Sequence, residues 1–235
     1  MQYGNLKSKF WAPITKIFYK RFQTIVCQSD EMMSSVLNYY NIRRDKLVVI
    51  PNPVMVSDKR QIVNTSNHNK KIIMVARLGI VKSHDRLLDI FNKLPENYTL
   101  SLAGEGHLRD QISEKVKQLN LDSRVTFLGD VPNVIDIIPE YDVLVLCSRT
   151  EGFPNVILEA LSVGVPVVTF RVGGINGLVK DGFNGFVVEQ DDLNGFAKRI
   201  IETCNRSWDH DLIRNHVYER HALDKVVLQY ESLIA

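Results

Sequence analysis

No hydrophobic run in this chain of 235 residues approaches the roughly 18 residues that a membrane-crossing helix needs. The N-terminus also lacks a short apolar core followed by a small-residue cleavage site, so no signal peptide is expected. Cysteine is scarce: Cys27, Cys147 and Cys204 are odd in number and far apart. That spacing excludes a disulfide framework and a zinc knuckle, and it points to a reducing, cytoplasmic compartment. The six histidines show no ligand spacing on a shared face, so no structural metal is expected. A net charge of only +2 gives no nucleic-acid footprint. Internal repeats and low-complexity tracts are absent as well.

What remains is the composition of a folded domain. Hydrophobic residues make up 45% of the chain and charged residues 24%, enough apolar matter to bury a core and too little charge for bulk disorder. The charge is uneven. Residues 1–21 carry Lys7, Lys9, Lys16, Lys20 and Arg21 without an acid, which is +5 and leaves −3 for the rest of the chain. In residues 10–22 the apolar Phe10, Trp11, Ile14, Ile17, Phe18 and Phe22 recur every three to four positions among these cations. This predicts an amphipathic helix, which packs on a protein partner or rests on an anionic, peripheral membrane surface.

Residues 24–27 read as a strand, Ser29 and Asp30 as the cap of a helix reaching about Tyr40, and residues 46–50 as a second strand ending at Pro51-Asn-Pro53. The strand around Ile25 is expected to carry unpaired backbone edges. Residues 56–71 are polar and read as a linker. From there the pattern becomes regular. Apolar runs at 72–76, 99–103, 125–128, 143–146, 165–170 and 185–188 predict strands. Residues 85–94, 108–119, 209–218 and 223–233 predict helices. Alternating strands and helices imply an α/β, Rossmann-like parallel sheet with helices on both faces, and the nearly all-apolar strands agree with that. The expected division is residues 1–52 as the remnant of another domain plus a linker, 53–220 as the Rossmann-like domain, and 221–235 as a C-terminal helix.

In such sheets ligands bind beyond the carboxyl ends of the strands. Arg77 directly follows the first strand of this set and Lys82 comes soon after; a guanidinium fork and a mobile ammonium suit a diphosphate. Gly104 and Gly106 follow the second strand and permit a tight turn with close ligand approach, although the full dinucleotide fingerprint is missing. Arg149-Thr-Glu-Gly-Phe-Pro-Asn-Val-Ile-Leu-Glu-Ala160 follows the fourth. Pro154 suits the first turn of a helix, whose free N–H groups near Asn155 and Val156 form an anion site. Glu151 before the helix and Glu159 inside it can face one crevice from different depths. An acceptor-only carboxylate is a natural partner for a ribose or hexose diol. Asp209-His-Asp211 reads as an acidic helix start rather than a metal site.

The 149–160 stretch resembles the E-x7-E region of retaining glycosyltransferases, especially family four with the GT-B fold. Val75-Ala-Arg-Leu78 with Lys82, Leu102-Ala-Gly-Glu-Gly106, Val125-Thr-Phe-Leu-Gly129, Gly164-Val-Pro-Val-Val168, Gly173-Gly174 and Asp181-Gly-Phe-Asn-Gly185 resemble successive blocks of that family, in order, from about Thr24 onward. The resemblance implies the C-terminal, donor-binding half of a GT-B fold, preceded by the tail of the acceptor-side N-terminal domain. It further implies that Arg77 and Lys82 bind the donor diphosphate, while Glu151 with the backbone of Gly152 and Phe153 positions the sugar. Asn155 and Val156 would then face phosphate, Glu159 hold the ribose, and the backbone near Val131 meet the base. The implied reaction is retaining transfer of a hexose from a nucleoside diphosphate, with a lean to UDP, onto an acceptor hydroxyl in bacterial surface polysaccharide or glycolipid synthesis. The partners are a nucleotide-sugar donor, a glycan or lipid-linked acceptor and a separate N-terminal domain; no cofactor is implied. The chain alone is expected to be inactive, since the acceptor-side Gly-rich loop and histidine have no counterpart. A non-catalytic nucleotide-sugar-binding module or half of a split enzyme is the alternative. One departure stands out: Asn176-Gly177 occupy the place of the family's usual Pro-Glu.

Overall fold

The computed structural model of the protein describes residues 17–55 and 69–233. Of the expected amphipathic helix, residues 17–21 are helical, with Ile17, Phe18 and Phe22 exposed; residues 10–16 lie outside the described residues. So do residues 56–68, most of the expected linker. Its last two residues, Lys70 and Lys71, belong to a strand instead.

A small β-α-β unit comes first: β1 (Ile25–Cys27), α1 (Asp30–Tyr40) and β2 (Leu47–Val49). The side chain of Ser29 caps α1 by accepting from the Met32 N–H at 3.1 Å. β1 is not the unpaired strand expected. It pairs in parallel with β2, Ile25 opposite Leu47, because α1 brings Met33 onto Cys27, Ile42 and Leu47 and folds the chain back over a shared apolar patch.

The main body is a six-stranded sheet, every neighbouring pair parallel. Its elements are β3 (Lys70–Val75), α2 (His84–Phe91), β4 (Tyr98–Ala103), α3 (Arg109–Gln118), β5 (Val125–Gly129), β6 (Val143–Leu146), α4 (Asn155–Ser162), β7 (Val167–Phe170), β8 (Gly185–Val188), α5 (Leu193–Asn205), α6 (His210–His221) and α7 (Leu223–Glu231). The strand order is β5-β4-β3-β6-β7-β8. Alternate residues serve opposite faces. Ile72, Met74, Val143, Val145, Val168 and Phe170 pack with α2, α3 and α5. Ile73, Leu144, Leu146 and Val167 pack with α4 and α6. Both faces are covered, so the strands are mostly apolar.

Helix α5 is missing from the sequence expectation. Its cap was present: the Asp192 side chain accepts from Gly195 N–H, and Phe196, Ile200 and Cys204 follow at four-residue spacing to make the buried stripe. Asn194 and Gly195, poor helix formers in the first turn, hid it. Asp209 likewise caps α6, accepting from the Leu212 N–H at 2.9 Å.

His84 opens α2 and is 2% exposed, with neither ring nitrogen hydrogen-bonded. Burial, helped by Lys82, lowers its pKa from 6.5 to about 4 against the pull of Asp85. Between those values the unfolded chain binds a proton that the folded chain refuses, so His84 contributes stability above pH 6.5 that is lost on acidification toward pH 4. Burial shifts His221 in the same direction. Denaturant unfolding at pH 7 and pH 5 should show wild-type stability falling by up to about 1.4 kcal/mol per pH unit for this one site, and His84→Leu should flatten the slope. An unchanged slope would mean that His84 titrates normally.

Candidate functional site

The order of the sheet fixes where a ligand can sit. β3 and β6 are neighbours, Ile72 opposite Val143, and the chain leaves them toward opposite edges of the sheet. That is the topological switch point, where the loops diverge and open a crevice at the strand carboxyl ends. The loop after β3 and the loop after β6 form its two lips.

The first lip carries Arg77 and Lys82. Arg77 is exposed and has no hydrogen-bond or ionic partner among the described residues. Lys82 ends a short 3-10 turn, Ile80–Lys82, and its Nζ lies 2.6 Å from Glu151 Oε1 on the other lip. The side chains of this pair are 29% and 13% exposed, so the pair is screened less than a surface bridge. The Arg149 N–H donates to Val81 O at 2.9 Å and ties the lips through backbone too.

The second lip runs Glu151, Gly152, Phe153 and Pro154 into α4. Pro154 stands at the N-cap, one place earlier than the first-turn position expected, and offers no side-chain acceptor. The first-turn N–H groups of Asn155 and Val156 therefore open α4 without a cap, at the positive end of its dipole. Asn155 and Glu159 are four residues apart and share one face, with Glu159 leaning back toward the helix start. Glu159 is half-buried, its carboxylate has no partner among the described residues, and burial raises its pKa.

Neighbouring loops press this lip into place. A Cβ on Gly173 would stand 2.5 Å from Glu151 O, and one on Gly174, at φ +72°, 2.8 Å from Gly152 O. Only glycines let the loop after β7 come this close. Gly104, at φ +129°, follows the same argument. Its missing Cβ, like that of Gly106, leaves room for the carbonyls of Ala76 and Leu78, so these glycines permit close contact between the β3 and β4 loops. Val131 follows β5, half-buried against the α4-side core. Asn176, in the departing position, accepts from Arg171 Nη1 at 2.9 Å; beside it, a Cβ on Gly177 would meet nothing, so sterics do not explain that glycine.

The structure thus joins Lys82 on the first lip to Glu151 on the second; Arg77 stands on the first lip, Gly152, Phe153, Pro154, Asn155, Val156 and Glu159 run from the second lip into α4, and Gly104 and Val131 follow the neighbouring strands β4 and β5. Sequence reasoning missed Asn52, whose Nδ2 donates to Asn155 Oδ1 at 2.6 Å while its carbonyl contacts His221 Nδ1 at 2.9 Å. Pro51-Asn-Pro53 signalled only a break in regular structure. A separate crevice of about 580 Å³ adjoins the second lip at Phe153 and reaches Ser29, Asp30, Arg220 and Lys225. Among the described residues no helix is long and apolar enough to cross a membrane.

Known proteins resemble this chain in sequence and in fold. The chain is 33% identical over 177 residues to the N-acetyl-alpha-D-glucosaminyl L-malate synthase of Bacillus anthracis, covering 72% of this chain and 46% of that protein. It is 30% identical over 219 residues, 89% of this chain and 58% of the relative, to a Campylobacter jejuni GalNAc-alpha-(1->4)-GalNAc-alpha-(1->3)-diNAcBac-PP-undecaprenol alpha-1,4-N-acetyl-D-galactosaminyltransferase. An Escherichia coli UDP-Gal:alpha-D-GlcNAc-diphosphoundecaprenol alpha-1,3-galactosyltransferase is 29% identical over 200 residues, 77% of this chain and 51% of that protein. The chain therefore spans about half the length of the curated relatives it matches. Among solved structures, Anabaena HepE in complex with UDP superposes with a TM-score of 0.84 at 23% identity, over 97% of this chain and 68% of that one, which shows the shared fold. The family model for Glycosyl transferases group 1 matches residues 56–218, and with that match the chain belongs to the group 1 glycosyltransferases.

Proposed function

We propose that the crevice between the two lips binds a nucleoside diphosphate sugar, and that the chain forms the donor side of a retaining hexosyltransferase. One observation carries the reading. The guanidinium of Arg77, unpartnered among the described residues, the ammonium of Lys82 and the uncapped start of α4 all follow strands at the switch point of the sheet. These groups match a diphosphate in charge and donor count. As the bond from the anomeric carbon to the β-phosphate oxygen breaks, the diphosphate leaves with the electron pair. Fixed cations and a helix N-terminus already in place lower that barrier without reorganising. In this reading Glu151, with Gly152 and Phe153, orients the sugar and Glu159 holds the ribose, so neither carboxylate serves as a covalent nucleophile. The backbone near Val131 meets the base, and no metal or organic cofactor takes part.

Two similarities support UDP as the carrier: the Escherichia coli relative's name contains UDP-Gal, and the HepE structure contains UDP. The undecaprenol diphosphate in relatives' names supports a lipid-linked glycan as acceptor. The crevice beside Phe153 is its approach in this reading. Calorimetric titration with UDP, UDP-glucose, UDP-galactose, UDP-N-acetylglucosamine and GDP-mannose tests the proposal. UDP and at least one UDP-sugar should bind at one site. If no nucleoside diphosphate binds, the proposal fails.

A further inference from the structure

Behind the second lip lies a polar clamp that the donor reading does not use. Gln190 follows β8. Its Nε2 donates to Ser148 O at 3.2 Å and to Arg171 O at 3.0 Å, and its Oε1 accepts from Arg86 Nη2 at 3.0 Å. Carbonyls only accept and a guanidinium only donates, so these partners fix the orientation of the amide. Arg86, on α2, is 4% exposed, lies 3.7 Å above the Phe170 ring and also bonds Asp191 Oδ1 at 3.1 Å. Asp191 holds a left-handed φ of 69°, a conformation that aspartate adopts more readily than most non-glycine residues.

The two carbonyls are those of strand-end loops that meet at Glu151. Ser148 precedes Glu151 by three residues in the loop after β6, and Arg171 precedes Gly173 by two in the loop after β7. Gly173 is the glycine whose Cβ position abuts Glu151 O. One amide thus suspends both loops, and it is anchored to a buried arginine.

We propose that Gln190 is a positioning residue for Glu151: it sets the loop that presents this carboxylate to the donor sugar. The inference rests on the donor reading for the role of Glu151, but its structural half can be tested in the free protein. Gln190→Glu is the discriminating variant. A carboxylate there still accepts from Arg86, more strongly than the amide does, yet it loses both donors and faces two carbonyl oxygens. A role confined to holding Arg86 survives this change; a role in holding the loops does not.

Hydrogen exchange of the free chain is measured for wild type, Gln190→Glu and Gln190→Ala. Both variants should exchange faster across residues 148–153, where the Arg149 N–H bonded to Val81 O is the reporter, and in Gln190→Glu α2 should keep wild-type protection. Titrations should then show UDP-glucose weakened about fivefold, the worth of about one hydrogen bond, with UDP unchanged. Unaltered exchange at 148–153 in Gln190→Glu overturns the proposal, as does a loss equal for UDP and UDP-glucose. Failure of wild type to bind UDP would strike the donor reading instead and leave the exchange result to decide the clamp.

Discussion

Arg77→Ala is expected to weaken UDP binding about 10- to 150-fold, the equivalent of about 1.5–3 kcal/mol for charge-assisted bonds, while leaving the affinity for uridine unchanged. Most exposed arginines could be removed without such an effect. Arg77 differs in its place, directly beyond β3 at the switch point, and in having no carboxylate among the described residues to satisfy it. Lys82 is occupied by Glu151 at 2.6 Å, so in the unliganded protein Arg77 is the cation of the pair that is free to meet an anion. A diphosphate offers that fork bidentate oxygens and uridine offers none. Parallel titrations of wild type and variant with UDP and uridine decide the matter; an equal loss for both ligands would remove Arg77 from the phosphate site.

The second large effect separates the two glutamates. Glu159→Ala should weaken uridine, UDP and UDP-sugar alike, each about tenfold or more, because a charged acceptor bonded to two ribose hydroxyls is among the stronger kinds of hydrogen bond. Its half-buried carboxylate has no partner among the described residues and its pKa is raised by burial, so the site carries a desolvation cost that a ribose diol would relieve. Glu151→Ala should leave UDP binding intact or tighter and weaken only the sugar-bearing donor. The direction follows from the pair with Lys82. Removing the carboxylate frees the ammonium for the diphosphate and at the same time takes away the sugar's acceptor. If both substitutions weaken plain UDP to the same extent, the two carboxylates do not have distinct roles.

Much of this was legible along the chain. The apolar runs marked all six strands of the main sheet to within two residues at each end, since a strand covered on both faces carries few polar positions to blur it. The caps of Ser29 and Asp209 were legible because a capping bond spans only three residues. Boundaries slipped where local signals conflicted. Lysines at 70 and 71 looked like linker but lengthen β3 at its polar entry, and Asn194-Gly195 masked α5. The pairing of β1 with β2 was missed because two three-residue strands announce nothing of each other; the patch under α1 joins them.

By itself the sequence determined the element types, the α/β class and the residue kinds gathered at strand ends. These follow from sterics, periodicity and solvation within a few neighbours. Only the tertiary structure decided which strand ends stand together. Lys82 meets Glu151 across 69 positions, Asn52 meets Asn155 across 103, and Arg86 meets Gln190 across 104. It also decided that Gly104 yields to a neighbouring carbonyl and that Gln190 holds two loops at once. Each of these contacts exists because burying both faces of the six strands imposes one spatial order, β5-β4-β3-β6-β7-β8, and that order is a property of the whole core rather than of any segment of it.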